Sequence, residues 1–290
     1  MELNFQAFEG KNIYKFSKYK IVEINKIKYI APSDNAKVST VVDLEDSYSE
    51  SVLIDFMNIG KSAIYKEPDL EEKVIEFVNK YSTLGLINDF PINKYFFLDE
   101  KIVLKNYNYI GNSDVTTIIG RKEYFKLFFP TYTDKQIEKL IKDCIKLAEE
   151  PAMEKYITSD INKLITGPNA YYEPLEMFVQ YAVYLYNLLN YSSLEDKVNT
   201  ADLLKQFSVN NMKMNLTQNG AFSVEFQVTC LKQYLDYYFA KTVSKEINLL
   251  KICKFCNKAF LANNPKAEYD TPQCKNKANV YKSRAKNKTD

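Results

Sequence analysis

The sequence predicts an α+β chain: a predominantly α-helical body with a small β component, closed at its carboxy terminus by a short cysteine-bearing lobe. Three observations carry that expectation. Residues 12–31 are crowded with Ile, Tyr and Val, and two alternating runs near 211–228 flank an Asn-Gly pair. Capping signals and apolar stripes at helical spacing fill most of the roughly 150 residues beyond position 50. Three of the five cysteines fall in the last forty residues. The boundary is expected between a body of residues 1–248 and a lobe of residues 249–290.

In chain order, Ile13-Tyr14-Lys15-Phe16 and Ile21-Val22-Glu23-Ile24 read as one or two strands ending at Pro32. Residues 33–50 are polar and acidic, a loop with one short strand at Val41-Val42. Asp69 and Glu72 form a capping box ahead of Leu70, Val74, Phe77 and Tyr81, with Gly85 as the stop. Residues 86–118 carry Asn, Asp and Pro without a clean period, which predicts loops and short strands. Thr133 and Gln136 cap a helix with the stripe Ile137, Leu140, Ile141, Cys144 and Leu147, making Cys144 a core residue. A further helix over residues 151–166 stops at Gly167-Pro168, and Pro174 opens the next in its first turn. There Met177, Phe178, Tyr181, Val183, Tyr184, Leu185 and Leu188 leave no polar face, the pattern of a helix central to a bundle.

Met212, Met214 and Leu216 alternate with polar residues, as do Phe222, Val224, Phe226 and Val228 beyond Asn219-Gly220. Both turn residues tolerate positive φ, so the two runs read as a β-hairpin. Thr229 then caps a helix with the stripe Leu231, Tyr234, Leu235, Tyr238 and Phe239, and Cys230 in its first turn reads as structural.

The chain contains no His, no Trp and only seven Gly. Without His there is no Ser-His-Asp triad, no Cys-His pair and no two-imidazole metalloprotease helix. Gly60-Lys61-Ser62 resembles the end of a phosphate-binding loop, but the Gly required five residues earlier is Asp55. Carboxylate pairs such as Glu149-Glu150 have no spacing that singles out a site, and no enzymatic role is expected. Met1 to Gly10 include acidic residues and no apolar run, and no stretch of about 18 apolar residues occurs, so neither export nor membrane insertion is expected. An odd cysteine count argues against a secreted disulfide framework, and the expected compartment is cytoplasmic.

The formal net charge of +2 conceals a strong asymmetry. Residues 251–290 hold ten of the 39 basic groups and three of the 37 acidic ones, so this tail carries +7 and the remainder −5. An acidic body with a basic tail directs attention to an anionic partner for the tail, with a solvated terminus as the plainer reading.

Within that tail, Cys253-Lys254-Phe255-Cys256 has the spacing of a knuckle that puts two thiolates on one tetrahedral metal. Cys274 returns a third. Thr271 reads as an N-cap and Pro272 as a first-turn residue, which places Cys274 in the opening turn of a helix, where the helix dipole favours a thiolate. With His unavailable, the fourth position falls to Asp270 or to water; a Cys253–Cys256 disulfide and a site without metal stay open. The lobe is thus expected to hold one Zn²⁺ in a knuckle-type or treble-clef-like arrangement on Cys253, Cys256, Asp270 and Cys274.

Cys253-x₂-Cys256-x₃-Phe260, the Tyr269-Asp270 step and Cys274-Lys275-Asn276-Lys277-Ala278 resemble the CGNR-type zinc finger that closes many bacterial proteins carrying an ABATE domain. The family's Cys-Gly-Asn-Arg element is matched by Cys274, Lys275, Asn276 and Lys277, with both Gly and Arg replaced by Lys. Where the family has Cys, this chain has Asp270. The likeness covers roughly residues 220–285. It implies a mostly helical ABATE-like amino-terminal domain and a role in transcription.

From Thr271 onward, Cys274, Ala278, Tyr281 and Ala285 fall on one stripe, flanked by Lys275, Lys282 and Lys286 on one side and Lys277, Arg284 and Lys288 on the other. One apolar seam with two basic flanks suits a helix laid on phosphate backbone. Lysines favour phosphate contact, while Arg284 is the single side chain with the fork geometry that reads guanine. The expected function is a DNA-binding transcriptional regulator: its body senses a small ligand or partner, and Lys275, Lys277, Lys282, Arg284 and Lys286 contact double-stranded DNA, with dimerisation adding contacts. The alternative is a non-enzymatic protein–protein interaction protein in which the lobe is a structural cap.

Overall fold

The amino-terminal run of β-branched and aromatic residues folds back on itself more often than expected. A computed structural model describes residues 8–10, 13–41, 51–88, 101–105, 116–149, 171–193, 212–216, 222–228, 230–243 and 249–286. After β1 (Phe8–Gly10), the one or two strands expected over residues 12–31 are three, β2 (Ile13–Phe16), β3 (Tyr19–Ile24) and β4 (Ile27–Pro32), followed by β5 (Val38–Val41). β3 and β4 pair antiparallel with Ile24 opposite Ile27, so Asn25 and Lys26 alone make the turn, at φ 52° and 67°. Two positive φ values match the right-handed twist of the strands; Lys26 gives little turn signal, which hides the hairpin in the sequence. β2 pairs antiparallel with β5.

Helices then dominate. α1 (Ser51–Ile64) and α2 (Leu70–Tyr81) come first, and Val74, Phe77 and Tyr81 of α2 are buried as their spacing predicts. The capping box at Asp69 is not formed. Asp69 has φ −94° and ψ 20°, outside the extended region a cap needs, and its carboxylate pairs with Lys73 at 2.9 Å. Nor does Gly85 end α2: the helix stops at Tyr81, and Ser82 turns the chain with φ 109°. Beyond a 3₁₀ turn at Leu86–Asn88, β6 (Lys101–Lys105) pairs antiparallel with β7 (Thr116–Gly120), which leads into α3 (Arg121–Phe128). The capping box before α4 (Asp134–Glu149) is present: the Gln136 side-chain oxygen accepts from the Thr133 amide at 2.9 Å and its hydroxyl at 2.8 Å. Ile137 and Leu140 are buried, while the side chains of Cys144 and Leu147 and the helix expected over 151–166 lie outside the described residues.

β8 (Glu173–Pro174) pairs with β4, and α5 (Leu175–Ser193) follows directly, so Pro174 sits one residue ahead of the helix it was expected to open. α5 is buried on nearly every side and forms the centre of the core. It crosses α1 so closely that a Cβ on Gly60 would lie 2.2 Å from the Ala182 carbonyl oxygen. Phe56 fills the crossing, its ring 5.3 Å from Phe77, 5.3 Å from Phe178 and 5.7 Å from Tyr181. Fully buried Glu173 accepts from the amides of Leu84, Gly85 and Leu86 at 2.8, 2.8 and 3.1 Å and from the Tyr171 hydroxyl at 2.6 Å.

β9 (Met212–Leu216) and β10 (Phe222–Val228) are the expected antiparallel hairpin, with Phe222 opposite Leu216. Asn219-Gly220 lies outside the described residues, as does Thr229. β1 adds to β10 in parallel, a pairing no local pattern announces. α6 (Leu231–Val243) buries Leu231, Tyr234, Leu235 and Phe239, and Cys230 is buried just before it. Lys232 meets Asp236 at 2.9 Å inside the protein, and the Tyr181 hydroxyl donates to the same carboxylate. The chain ends with the antiparallel pair β11 (Leu250–Ile252) and β12 (Ala259–Leu261), then α7 (Pro272–Lys286). Among the described residues no helix is long and apolar enough to cross a membrane. The result is a mainly helical chain with small, chiefly antiparallel sheets.

Candidate metal centre

The short β11–β12 ladder leaves residues 253–258 to turn the chain. The Cys253 amide donates to the Lys258 carbonyl and the Asn257 amide to the Cys253 carbonyl, each at 2.9 Å, and Asn257 takes a left-handed φ of 59°. Asn tolerates that conformation, and the tight turn presents the Cys253 and Cys256 sulfurs together. The Lys254 amide donates to the Glu268 carbonyl at 3.0 Å, pinning the irregular segment that returns to bring Asp270. α7 starts as its residues predict. The Thr271 hydroxyl accepts from the Cys274 amide at 3.2 Å, and Pro272 occupies the first helical position.

These elements bring Cys253, Cys256, Asp270 and Cys274 into one cluster that could hold a metal ion, their ligating atoms all within 4.8 Å of one another. A tetrahedral site with Zn–S bonds of about 2.3 Å separates its sulfurs by about 3.8 Å, which this spread accommodates. Cys253 is buried, and the other three are half-buried. Cys253 and Cys256 are thiols, not a disulfide. They point at the carboxylate: the Cys253 sulfur lies 3.2 Å and the Cys256 sulfur 3.5 Å from its two oxygens. Burial pushes the Cys256 thiol up to about 12. A hydrogen bond to Asp270 likewise raises Cys274. Burial tends to raise Asp270, but hydrogen bonds from Cys274, Cys253 and Cys256 outweigh it and hold the carboxyl below its ordinary value. The three thiol protons thus converge on one carboxylate, and a divalent cation at their centre would displace them.

The cluster is joined to the body. Asn58 of α1 donates to the Ala259 carbonyl at 3.1 Å and accepts from the Ala259 amide at 2.9 Å, acting as an extra strand edge on β12. The Tyr186 hydroxyl of α5 donates to the Asn257 carbonyl at 2.7 Å, and Leu250 and Ala259 belong to the main core. Sequence reasoning missed Asn58 and Tyr186, because their partners lie 201 and 71 residues away and neither sits in a motif.

α7 departs from the expected seam. Ala278 is buried and Cys274 half-buried against the lobe, but Tyr281 is 63% exposed and Ala285 is exposed too. Lys275, Lys277, Lys282 and Arg284 are all exposed, while the side chain of Lys286 lies outside the described residues. The structure therefore gathers the four metal-site residues and spreads the basic ones along a helix that stands in solvent.

No family model matches the chain, so the likeness to the CGNR-type finger rests on the motif residues alone. No solved structure matches either. The probable capsid protein 3 of Acanthamoeba polyphaga mimivirus is 25% identical over 243 residues, 81% of this chain and 10% of that protein. The chain spans about a tenth of the length of the curated relative it matches.

Proposed function

We propose that the chain is a DNA-binding regulator whose carboxy-terminal lobe, folded around one Zn²⁺, lays α7 against double-stranded DNA. The observation that carries this reading is the state of α7: it is exposed on nearly every side, and among the described residues Lys275, Lys277 and Arg284 pair with no carboxylate, while Lys282 acts only at longer range on Glu268, the partner of Lys254. Unopposed cations gain most from phosphates, because binding releases condensed counterions. Three thiolates and a carboxylate suit zinc, with Cys253, Cys256, Asp270 and Cys274 as its ligands and no redox chemistry involved. Zinc there would supply folding free energy that so small a lobe lacks. The family resemblance adds the transcriptional role and makes the helical body the sensor of a small ligand or partner. Lys286 would join the other four basic residues on the phosphates, and a dimer would supply the second half-site that one arginine cannot replace.

Fluorescence anisotropy of a labelled duplex across a salt series tests the reading. Five phosphate contacts predict a log–log slope of about −4 to −5, and Cys274→Ala should abolish binding. Tight, salt-insensitive binding, or none at low salt, contradicts it.

A second reading, that of a non-enzymatic interaction protein with the lobe as a structural cap, is favoured by the bonds from Asn58 and Tyr186 that tie the lobe to the core. Under it, deleting residues 271–290 lowers stability and changes no nucleic-acid affinity.

A further inference from the structure

Large apolar side chains rarely stand in solvent without cause when they gather on one charged face. On α7, Tyr281 is 63% and Val280 47% exposed. Tyr281 is held from beneath: its ring centroid lies 5.8 Å from that of Phe255, tilted by 35°. Phe255 comes from the turn between Cys253 and Cys256, so the lobe that gathers the ligating residues also sets the position of this aromatic pair. Lys277 precedes Tyr281 by four residues and Arg284 follows it by three, so both are its neighbours on the helix surface. The face thus runs cation, aromatic ring, cation, with an apolar shoulder at Val280.

We propose that this face takes single-stranded nucleic acid, with an unpaired base stacked on Tyr281 and the flanking phosphates on Lys277 and Arg284. The inference rests on the reading of α7 as a nucleic-acid surface and adds an unpaired strand, held by stacking as well as charge, to the duplex that the phosphate contacts alone would hold. In a duplex the base faces are covered by their neighbours, and a ring set between two cations meets sugar and phosphate, where it gains nothing. An unpaired strand offers base faces in step with its phosphates, and every base has a π-face, so such a surface binds with little sequence preference. A lobe with one arginine and no histidine or tryptophan fits that mode better than base-edge reading.

The test compares the full chain's affinity for a labelled mixed-sequence strand of about 16 nucleotides with its affinity for the same sequence as a duplex. The single strand should bind more tightly. Tyr281→Ala should weaken it by about 5- to 150-fold, the range of one lost base–aromatic stack. Tyr281→Phe should retain the affinity, and Lys277→Gln should flatten the single-strand salt slope by about 0.7. Because Tyr281 is largely exposed, the alanine variant should melt with the wild type, separating lost binding from lost folding. If the duplex binds as tightly as the strand, or Tyr281→Ala leaves the strand's affinity unchanged, this inference falls and the nucleic-acid reading stands. If neither form binds at low salt, both fall.

Discussion

Glu173 and Glu67 are both carboxylates held by several donors, and their surroundings give them opposite roles. Glu173 is fully buried, and removing it strands the amides of Leu84, Gly85 and Leu86 away from water. Glu173→Ala should cost on the order of 3–5 kcal/mol in denaturant unfolding, and Glu173→Gln less, since one acceptor oxygen survives. Glu67 stands nearer the surface between α1 and α2. Hydrogen bonds from Lys61, then Lys73 and Ser62, hold its carboxyl down at about 2 against the partial opposition of burial. A depressed carboxyl contributes stability above its unfolded value near 4.5 that is lost as the pH falls through about 2. Denaturant midpoints from pH 5 to pH 2 should therefore drop less steeply in Glu67→Gln than in the wild type. Neither role was legible in the sequence. The amide donors to Glu173 lie 87 to 89 residues before it, and Lys61-Ser62 drew notice as a false phosphate loop when both residues in fact bind Glu67.

At the scale of elements, Gly60 decides how α1 and α5 cross. Ala is the better helix former by about 1 kcal/mol, so propensity alone favours Gly60→Ala. The added Cβ would meet the Ala182 backbone carbonyl at 2.2 Å, and backbone cannot swing aside as a side chain can. Overpacking wins, and the substitution should lose about 1–3 kcal/mol net, read as a lowered melting temperature. The two capping boxes teach a related lesson. Thr133 and Gln136 close theirs because Gln136 can reach back to the Thr133 amide; Asp69 has the right sequence and the wrong backbone angles. Local patterns carry α2, α4, α5, α6 and the β9–β10 hairpin as elements; on α7 they carry the start of the helix but not its buried face, since Tyr281 and Ala285 stand exposed. They do not carry the Asn25-Lys26 turn or the parallel β1–β10 pairing, which tertiary contacts choose.

Over the whole molecule, the sequence points to the residues of the candidate site more clearly than to its setting. Cys253, Cys256, Asp270 and Cys274 were legible because metal ligation demands particular side chains at tight spacing, and the lack of histidine narrowed the fourth ligand to Asp270 or water. The attachment of the lobe through Asn58 and Tyr186 was not, since one hydrogen bond between distant segments leaves no periodic trace. That attachment joins the basic tail to the acidic body, so a metal bound in the lobe would be coupled to the stability of the core. Proposed DNA binding, the unpaired base on Tyr281 and the cap reading all presuppose a lobe folded around metal. Elemental analysis of freshly purified protein tests this most directly. The account predicts one zinc per chain in the wild type and its loss in Cys274→Ala, with Asp270→Ala binding more weakly. Wild-type protein that is folded and free of zinc, or zinc that survives Cys274→Ala undiminished, would contradict it.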